Sequence, residues 1–247
     1  MDKVARALAA VMLFYALYLY TLPSVSRKAA PAAAPSRETR ILTLPSLRRY
    51  GVVISLPAGD QARICAARVA RQGGAGLILE TAGEWQVYCG LFDHASDAER
   101  ACVRVQERTG YSARTEVIAC SGARVRISAN ADQLAAVARS VSCLEEIPGQ
   151  MQQLAGRLDA GETLQPGAQA MTEVWHTQVA EIQAAMEILL AGEEDPFCCR
   201  VAEALAEMCE DLSAARTAGE AGLSSLLRRG GAATECAYVR LVNDWRN

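Results

Sequence analysis

Between residues 50 and 119 four strand-like runs and two amphipathic helical runs follow one another in the order β-α-β-β-α-β, and this order constrains the chain more than any other feature. The run 50–56 (YGVVISL) is rich in β-branched residues. Pro57, Ala58, Gly59 and Asp60 form a turn signal in which Asp60 is placed to cap a helix. Residues 61–72 (QARICAARVARQ) set Ala62, Cys65, Ala66 and Val69 on one stripe, with Arg63 and Arg71 off it, and Gly73-Gly74 ends the run. A short second strand spans 77–80, and Thr81-Ala82-Gly83 turns the chain. In 85–92 (WQVYCGLF) Trp85, Val87 and Cys89 alternate with Gln86 and Tyr88, so the two sets face opposite sides of a sheet. Ser96 with Glu99 matches a capping box, 98–109 carries Ala98, Ala101, Cys102 and Val105 on one helical face, and Gly110 stops it. The fourth strand is 113–119 (ARTEVIA).

Two β-α-β halves of this kind build a four-stranded antiparallel sheet with both helices on one face. The expected fold is therefore α+β, with a ferredoxin-like or RNP-like domain over 49–129. Residues 124–129 (RVRISA) are expected to add a fifth strand at a sheet edge. The second sheet face is bare unless something lies on it, and Gln86 and Tyr88 point to that side.

From Asn130 the period changes, and 130–247 is expected to be an α-helical hairpin or bundle region. Leu134, Val137, Val141 and Leu144 step by three and four, Pro148-Gly149 interrupts, and Met151, Leu154 and Leu158 resume. After a break at 159–167, Trp175, Val179, Ile182, Met186 and Leu189 form the next stripe. The acidic run Glu193-Glu194-Asp195 with Pro196 stops and restarts the pattern. Val201, Leu205, Met208, Leu212 and Ala215 follow; Gly230-Gly231 is a further expected break before a last helix with Tyr238, Leu241 and Trp245.

The N-terminus has a different chemistry. Residues 7–25 (ALAAVMLFYALYLYTLPSV) carry no charge and as a helix would span about 28 Å, close to the hydrocarbon thickness of a bilayer. Residues 1–25 are therefore expected to be a single-pass membrane anchor, or a signal peptide cut after the small residues Ser24-Val25-Ser26. Orientation stays open. Arg27, Lys28, Arg37 and Arg40 after the segment favour a cytoplasmic bulk, while the short N-terminus, with only Lys3 and Arg6, favours an extracytoplasmic one. Residues 26–48, centred on RKAAPAAAPSRETR, are expected to be a Pro/Ala-rich linker.

Several function classes are disfavoured. A net charge of −3 without a dense basic block argues against a nucleic-acid partner. The nine cysteines include no CxxC and no His at zinc spacing, so they are expected to be small buried hydrophobes; Cys198-Cys199 stands apart as an adjacent pair. His94 and His176 have no nucleophile motif beside them, and neither a P-loop nor GxGxxG occurs. No catalysis, cofactor or metal is expected, and Glu193, Glu194 and Asp195 are expected to be a solvated loop.

The unit from about residue 50 to 119 resembles the SPOR (sporulation-related repeat) family. The resemblance rests on Trp85-Gln86-Val87-Tyr88-Cys89-Gly90-Leu91-Phe92 and the DHASDAERACVRVQERTGYSARTEV that follows, and covers roughly seventy residues. An N-terminal anchor, a linker and then this unit is also the family's usual order. The resemblance implies binding of peptidoglycan glycan strands stripped of stem peptides, at division or sporulation septa, through the exposed sheet face. On that face it implies Gln86, Tyr88, Val53, Ser55 and Arg114 as glycan contacts, with Glu116 beside them. A glycan offers hydroxyls, acetamides and C–H faces that suit Gln and Tyr.

The first strand departs from the family pattern V-Q-x-G-S/A-F. Here it is Val52-Val53-Ile54-Ser55-Leu56-Pro57, with Val53 where a glycan-contacting Gln often stands. Three functions follow as expectations. The first is a membrane-anchored, non-catalytic peptidoglycan-binding protein with its bulk extracytoplasmic and a protein partner on its helical region. The second is a membrane-tethered protein scaffold whose SPOR-like unit no longer binds glycan. The third, least favoured, is a cell-wall hydrolase with an unrecognised helical catalytic domain.

Overall fold

A computed structural model describes residues 37–247, except 82, 192–194, 220–221 and 246–247. The expected anchor, the first part of the linker, and the acidic Glu193-Glu194 lie outside the described residues. Among the described residues no helix is long and apolar enough to cross a membrane. They contain six helices and two antiparallel sheets, and Arg37–Asn247 forms one compact unit.

The β-α-β-β-α-β order is present as β2 (Leu47–Leu56), α1 (Gly59–Arg71), β3 (Leu77–Thr81), β4 (Glu84–Phe92), α2 (Ala95–Thr109) and β5 (Arg114–Cys120). Its strands lie in the order β3-β4-β2-β5, all antiparallel to their neighbours. Val52, Ile54, Leu56, Val87 and Cys89 form one core with Ala62, Cys65, Ala66 and Val69 of α1 and Ala98, Ala101 and Cys102 of α2. The helical side of that core is nearly all Ala and Cys, so both helices can lie close to the sheet. Gly110 ends α2 in the left-handed conformation, with φ 73°. The Ser96–Glu99 capping box is not formed. Helix α2 begins at Ala95 with His94 at the N-cap, which puts Ser96 inside the first turn.

The expected linker contains a strand, β1 (Glu38–Leu44), which pairs antiparallel with β6 (Ala123–Ala129). Residues 124–129 thus do form a strand, but in a separate two-stranded sheet and not at the edge of the four-stranded one. The two sheets are continuous in register: Leu47 pairs with Cys120, and beyond a short interruption on both strands Leu44 pairs with Ala123. Gly122, with φ 78°, makes the crossing. A Cβ there would sit 2.8 Å from the Leu44 carbonyl oxygen. Strand β6 alternates cleanly, with Val125, Ile127 and Ala129 buried and Arg124, Arg126 and Ser128 exposed.

The C-terminal half is four helices: α3 (Ala131–Asp159), α4 (Gln165–Leu189), α5 (Pro196–Arg216) and α6 (Leu223–Asp244). Neighbours run antiparallel. Gln133 meets Leu189 and Gln178 meets Cys143 across α3 and α4, Arg216 meets Glu173 across α4 and α5, and Arg228 meets Asp159 across α3 and α6. Helix α3 starts with a capping box in which the Gln133 N–H donates to Asn130 Oδ1 and the Asn130 N–H to Gln133 Oε1. Asp195 caps α5 by accepting from the N–H groups of Phe197 and Cys198.

Two expected breaks are absent. Helix α3 runs through Pro148-Gly149, and α6 runs through Gly230-Gly231. A helical Pro costs about 3 kcal/mol and a Gly about 1. Here packing outweighs both. Ile147, Pro148, Met151 and Leu154 are buried, and Gly230 and Gly231 are where α6 crosses its neighbours. A Cβ on Gly230 would lie 2.8 Å from Met151 Cε, and one on Gly231 2.9 Å from the Pro148 carbonyl oxygen.

Candidate functional site: the sheet face beneath the last helix

The residues implied as glycan contacts do share one side of the sheet. Val53 pairs with Tyr88 and with Arg114, and Ser55 pairs with Gln86. A bulge aids this: the register shifts between Val52 and Val53, so that Val52 opposes Gly90 and Val53 opposes Tyr88 with Cys89 between. Tyr88 and Leu91 thereby both join the core on this side. Gly51 leaves room for the Tyr88 ring, since a Cβ there would stand 3.2 Å from Tyr88 Cε1.

The face is not bare. Helix α6 packs across β3, β4 and β5. Val53 is 0% exposed, Tyr88 5% and Gln86 7%. The Tyr88 hydroxyl lies 3.3 Å from Gln86 Oε1, to which it donates. Burial, with lesser pushes from Glu116 and from Cys236 of α6, raises the Tyr88 phenol well above its usual range. This corrects the expectation of a bare face: Val53, Gln86 and Tyr88 are buried in this fold, on the side of the sheet that α6 crosses. Only the rim stays open. Arg114 is exposed and Ser55 half-buried; Arg114 Nη1 donates to Ser55 Oγ at 2.6 Å, and Glu116 is within 3.5 Å of Arg114 Nη2.

Polar contacts fix α6 in this seat along its length. Near its start Ser225 Oγ donates to the Gly74 carbonyl at 2.7 Å, and Arg228 Nη1 reaches the Gly73 carbonyl at 2.6 Å and Asp159 Oδ2 at 2.7 Å. At its middle Glu235 accepts from Arg49 Nε of β2 at 2.9 Å and from Gln152 Nε2 of α3 at 3.1 Å. Arg49 also pairs with Asp93. Further on, the Tyr238 hydroxyl donates to the Pro45 carbonyl at 3.0 Å. Burial pushes the Glu235 carboxyl up from its ordinary value, and Arg49 opposes that push.

Reasoning from sequence missed these groups: Arg49, Gln152, Ser225, Arg228 and Glu235; it placed Tyr238 on the last helix but not its hydrogen bond to Pro45. One signal was present, a single carboxylate inside the otherwise small and apolar run GGAATECAYV. A charge in such a run needs a buried partner.

The remaining candidates stay apart. His94 is exposed before α2, and His176 is half-buried on α4. Cys198 is buried and Cys199 exposed at the start of α5. Among the described residues no group of three or more His, Cys, Asp or Glu could hold a metal ion. No family model, curated protein or solved structure matches the chain.

Proposed function

We propose that this chain is a non-catalytic protein-binding module, held at a membrane by its N-terminal apolar segment, in which a SPOR-like sheet of the ferredoxin-like kind carries the chain's own helices in place of a glycan. The observation that supports this reading is the passage of α6 across β3, β4 and β5, on the side of the sheet where Val53, Gln86 and Tyr88 are buried. Exposing that seat would return Val53, Leu77, Tyr88, Leu91 and Ile118 to water at about 1.5–3 kcal/mol each. A glycan surface that must first meet such a cost is a poor receptor, whereas the same packing gives a rigid platform that presents the outer helices.

The test is co-sedimentation of the full chain, in nanodiscs of neutral lipid, with peptidoglycan sacculi left intact or stripped of stem peptides. The expected result is no sedimentation above empty nanodiscs with either preparation. Sedimentation that rises on stripping and falls in Arg114→Ala would overturn the proposal and restore a glycan role at the open rim.

A further inference from the structure

Four of the eight large apolar side chains left exposed among the described residues belong to α4 or its N-cap: Leu164 at 78%, Met171 at 40%, Val174 at 64% and Ile188 at 76%. Helix α4 packs mainly on α3 and α5. On its wheel Leu164, Met171, Val174, Gln178, Ile182, Ala185 and Leu189 step by sevens, threes and fours and so share one stripe, with Ile188 at its outer edge beside Val174. Within that stripe Ile182 and Leu189 pack against the bundle core, which α4 fills with Ala168, Thr172, Trp175, Val179 and Met186, while Leu164, Met171 and Val174 stay exposed. The stripe borders α3, where two adjoining hollows of about 500 and 350 Å³ share Arg139, Glu181 and Ile182. The hollows flank the stripe from Trp175 to Leu189 as a trough of about 21 Å along α4, and the exposed Leu164, Met171 and Val174 continue the apolar surface beyond it.

We propose that this trough is a docking groove for a basic amphipathic helix of a partner protein. The claim rests on the protein-binding reading above and names the partner's chemistry. Length and apolar spacing suit a helix laid between two helices. Charge selects which helix. The groove is edged by Asp132, Glu146 and Glu181 against a single Arg139. Helix α4 carries no Lys or Arg, and Glu181 borders the stripe, while Glu173, paired with Arg216, and Glu187 lie on the other side of the helix. A second copy docking α4 on α4 would bring like charges together. An anionic lipid surface would be repelled in the same way.

The test uses Arg37–Asn247, the compact unit with its own core, after a cooperative thermal melt confirms that it is folded. The probe is a labelled peptide of about 14 residues, a length that matches the trough, with Leu at 3–4 spacing and Arg elsewhere. Its counterpart has Glu in place of each Arg. Fluorescence anisotropy is expected to show saturable binding of the Arg peptide, one per chain, at least about tenfold tighter than the Glu peptide. Val174→Asp with Ile188→Asp should weaken it by about tenfold or more, while Val103→Asp on the exposed face of α2 leaves it unchanged. Glu181→Lys should narrow the preference for Arg over Glu.

Equal binding of both peptides, or no loss in the double variant, overturns the groove. So does concentration-dependent dimerisation abolished by Val174→Asp, which would make a second copy the occupant. Failure of the groove with no binding to sacculi leaves the protein-binding reading standing; binding to stripped sacculi overturns that reading itself.

Discussion

Arg49 of β2 donates from Nε to Oε1 of Glu235 on α6 across 2.9 Å, and this contact ties the sheet to the helix that covers it. Glu235 is almost wholly buried, while Arg49 keeps some access to solvent and also meets Asp93. Removing the arginine leaves a carboxylate with only Gln152 in an apolar seat. Arg49→Ala is expected to cost near the lower end of about 3–5 kcal/mol in urea unfolding, because Arg49 is not fully desolvated. The deficit should depend on pH. Burial already raises the Glu235 carboxyl, and losing Arg49 raises it further. A raised carboxyl binds its proton more tightly folded than unfolded, so stability falls as pH climbs from the unfolded value through the folded one. The deficit of Arg49→Ala against the parent should therefore shrink in acid, where Glu235 is neutral, and grow toward neutral pH. A deficit that is flat with pH would mean that Arg49 acts by packing alone.

Tyr88 separates a buried seat from an open binding face. As a seat residue, Tyr88→Ala should destabilise the chain by about 3–5 kcal/mol, the usual cost of emptying a large buried ring. Tyr88→Phe loses only the hydrogen bond to Gln86 and should cost about 1 kcal/mol. On an exposed face both changes would be nearly neutral, and urea midpoints distinguish the cases. Burial also raises the phenols of Tyr88 and Tyr238. Both bind their protons more tightly folded, so native stability should decline as pH rises above about 10. In absorbance titration these two rings should ionise only as the chain unfolds.

What the sequence made legible follows from the range of each signal. Strand alternation is local, and it put Val53, Ser55, Gln86 and Tyr88 on one side of the sheet. The helical stripes were legible for the same reason. The cover over that side was not, because α6 follows the sheet only after three other helices and its buried set, from Leu223 through Cys236 to Val242, goes nearly all round the helix. A helix buried on every side does not announce which neighbour it serves. Strand β1 was hidden by the Pro/Ala-rich stretch before it and by its own exposure, since only Leu44 of its residues is fully buried. Pro148 and Gly230-Gly231 misled because propensity is a weak prior that packing overrides.

The two kinds of helical glycine give opposite predictions for the same substitution. Gly156 in α3 has open space at its Cβ position, with nothing within 4 Å. Gly156→Ala should stabilise the chain by roughly 0.5–1 kcal/mol, the ordinary gain in a helix interior. Gly231 in α6 is opposite: its Cβ would fall 2.9 Å from the Pro148 carbonyl oxygen and 3.0 Å from Gln152 Cγ. A backbone oxygen cannot step aside, so Gly231→Ala should destabilise by about 1–3 kcal/mol despite the better helix propensity. Thermal melts of the two variants read the signs directly. A stabilising Gly231→Ala would mean that α6 does not cross α3 this closely.

Cysteine reactivity tests the whole arrangement at once. Cys199 is exposed and Cys209 half-exposed, while Cys65, Cys89, Cys102, Cys120, Cys143, Cys198 and Cys236 are buried. The buried thiols lie on both sides of the sheet and within the bundle, so each reports a different layer. Burial pushes the thiols of Cys89 and Cys236 up to about 12, which leaves almost no thiolate at pH near 8. Since the thiolate is the reactive form, Cys199 should alkylate first, Cys209 more slowly, and the others only on unfolding. Mass mapping after a timed pulse of iodoacetamide gives the order. Early labelling of Cys236 with Cys89 still protected would show α6 leaving the sheet while the α1–α2 layer holds, and would mark the seat as an opening surface. Protection of both until global unfolding is the expected result, because α6 is held by Arg49, Gly73, Gly74 and Pro45 as well as by its apolar side chains.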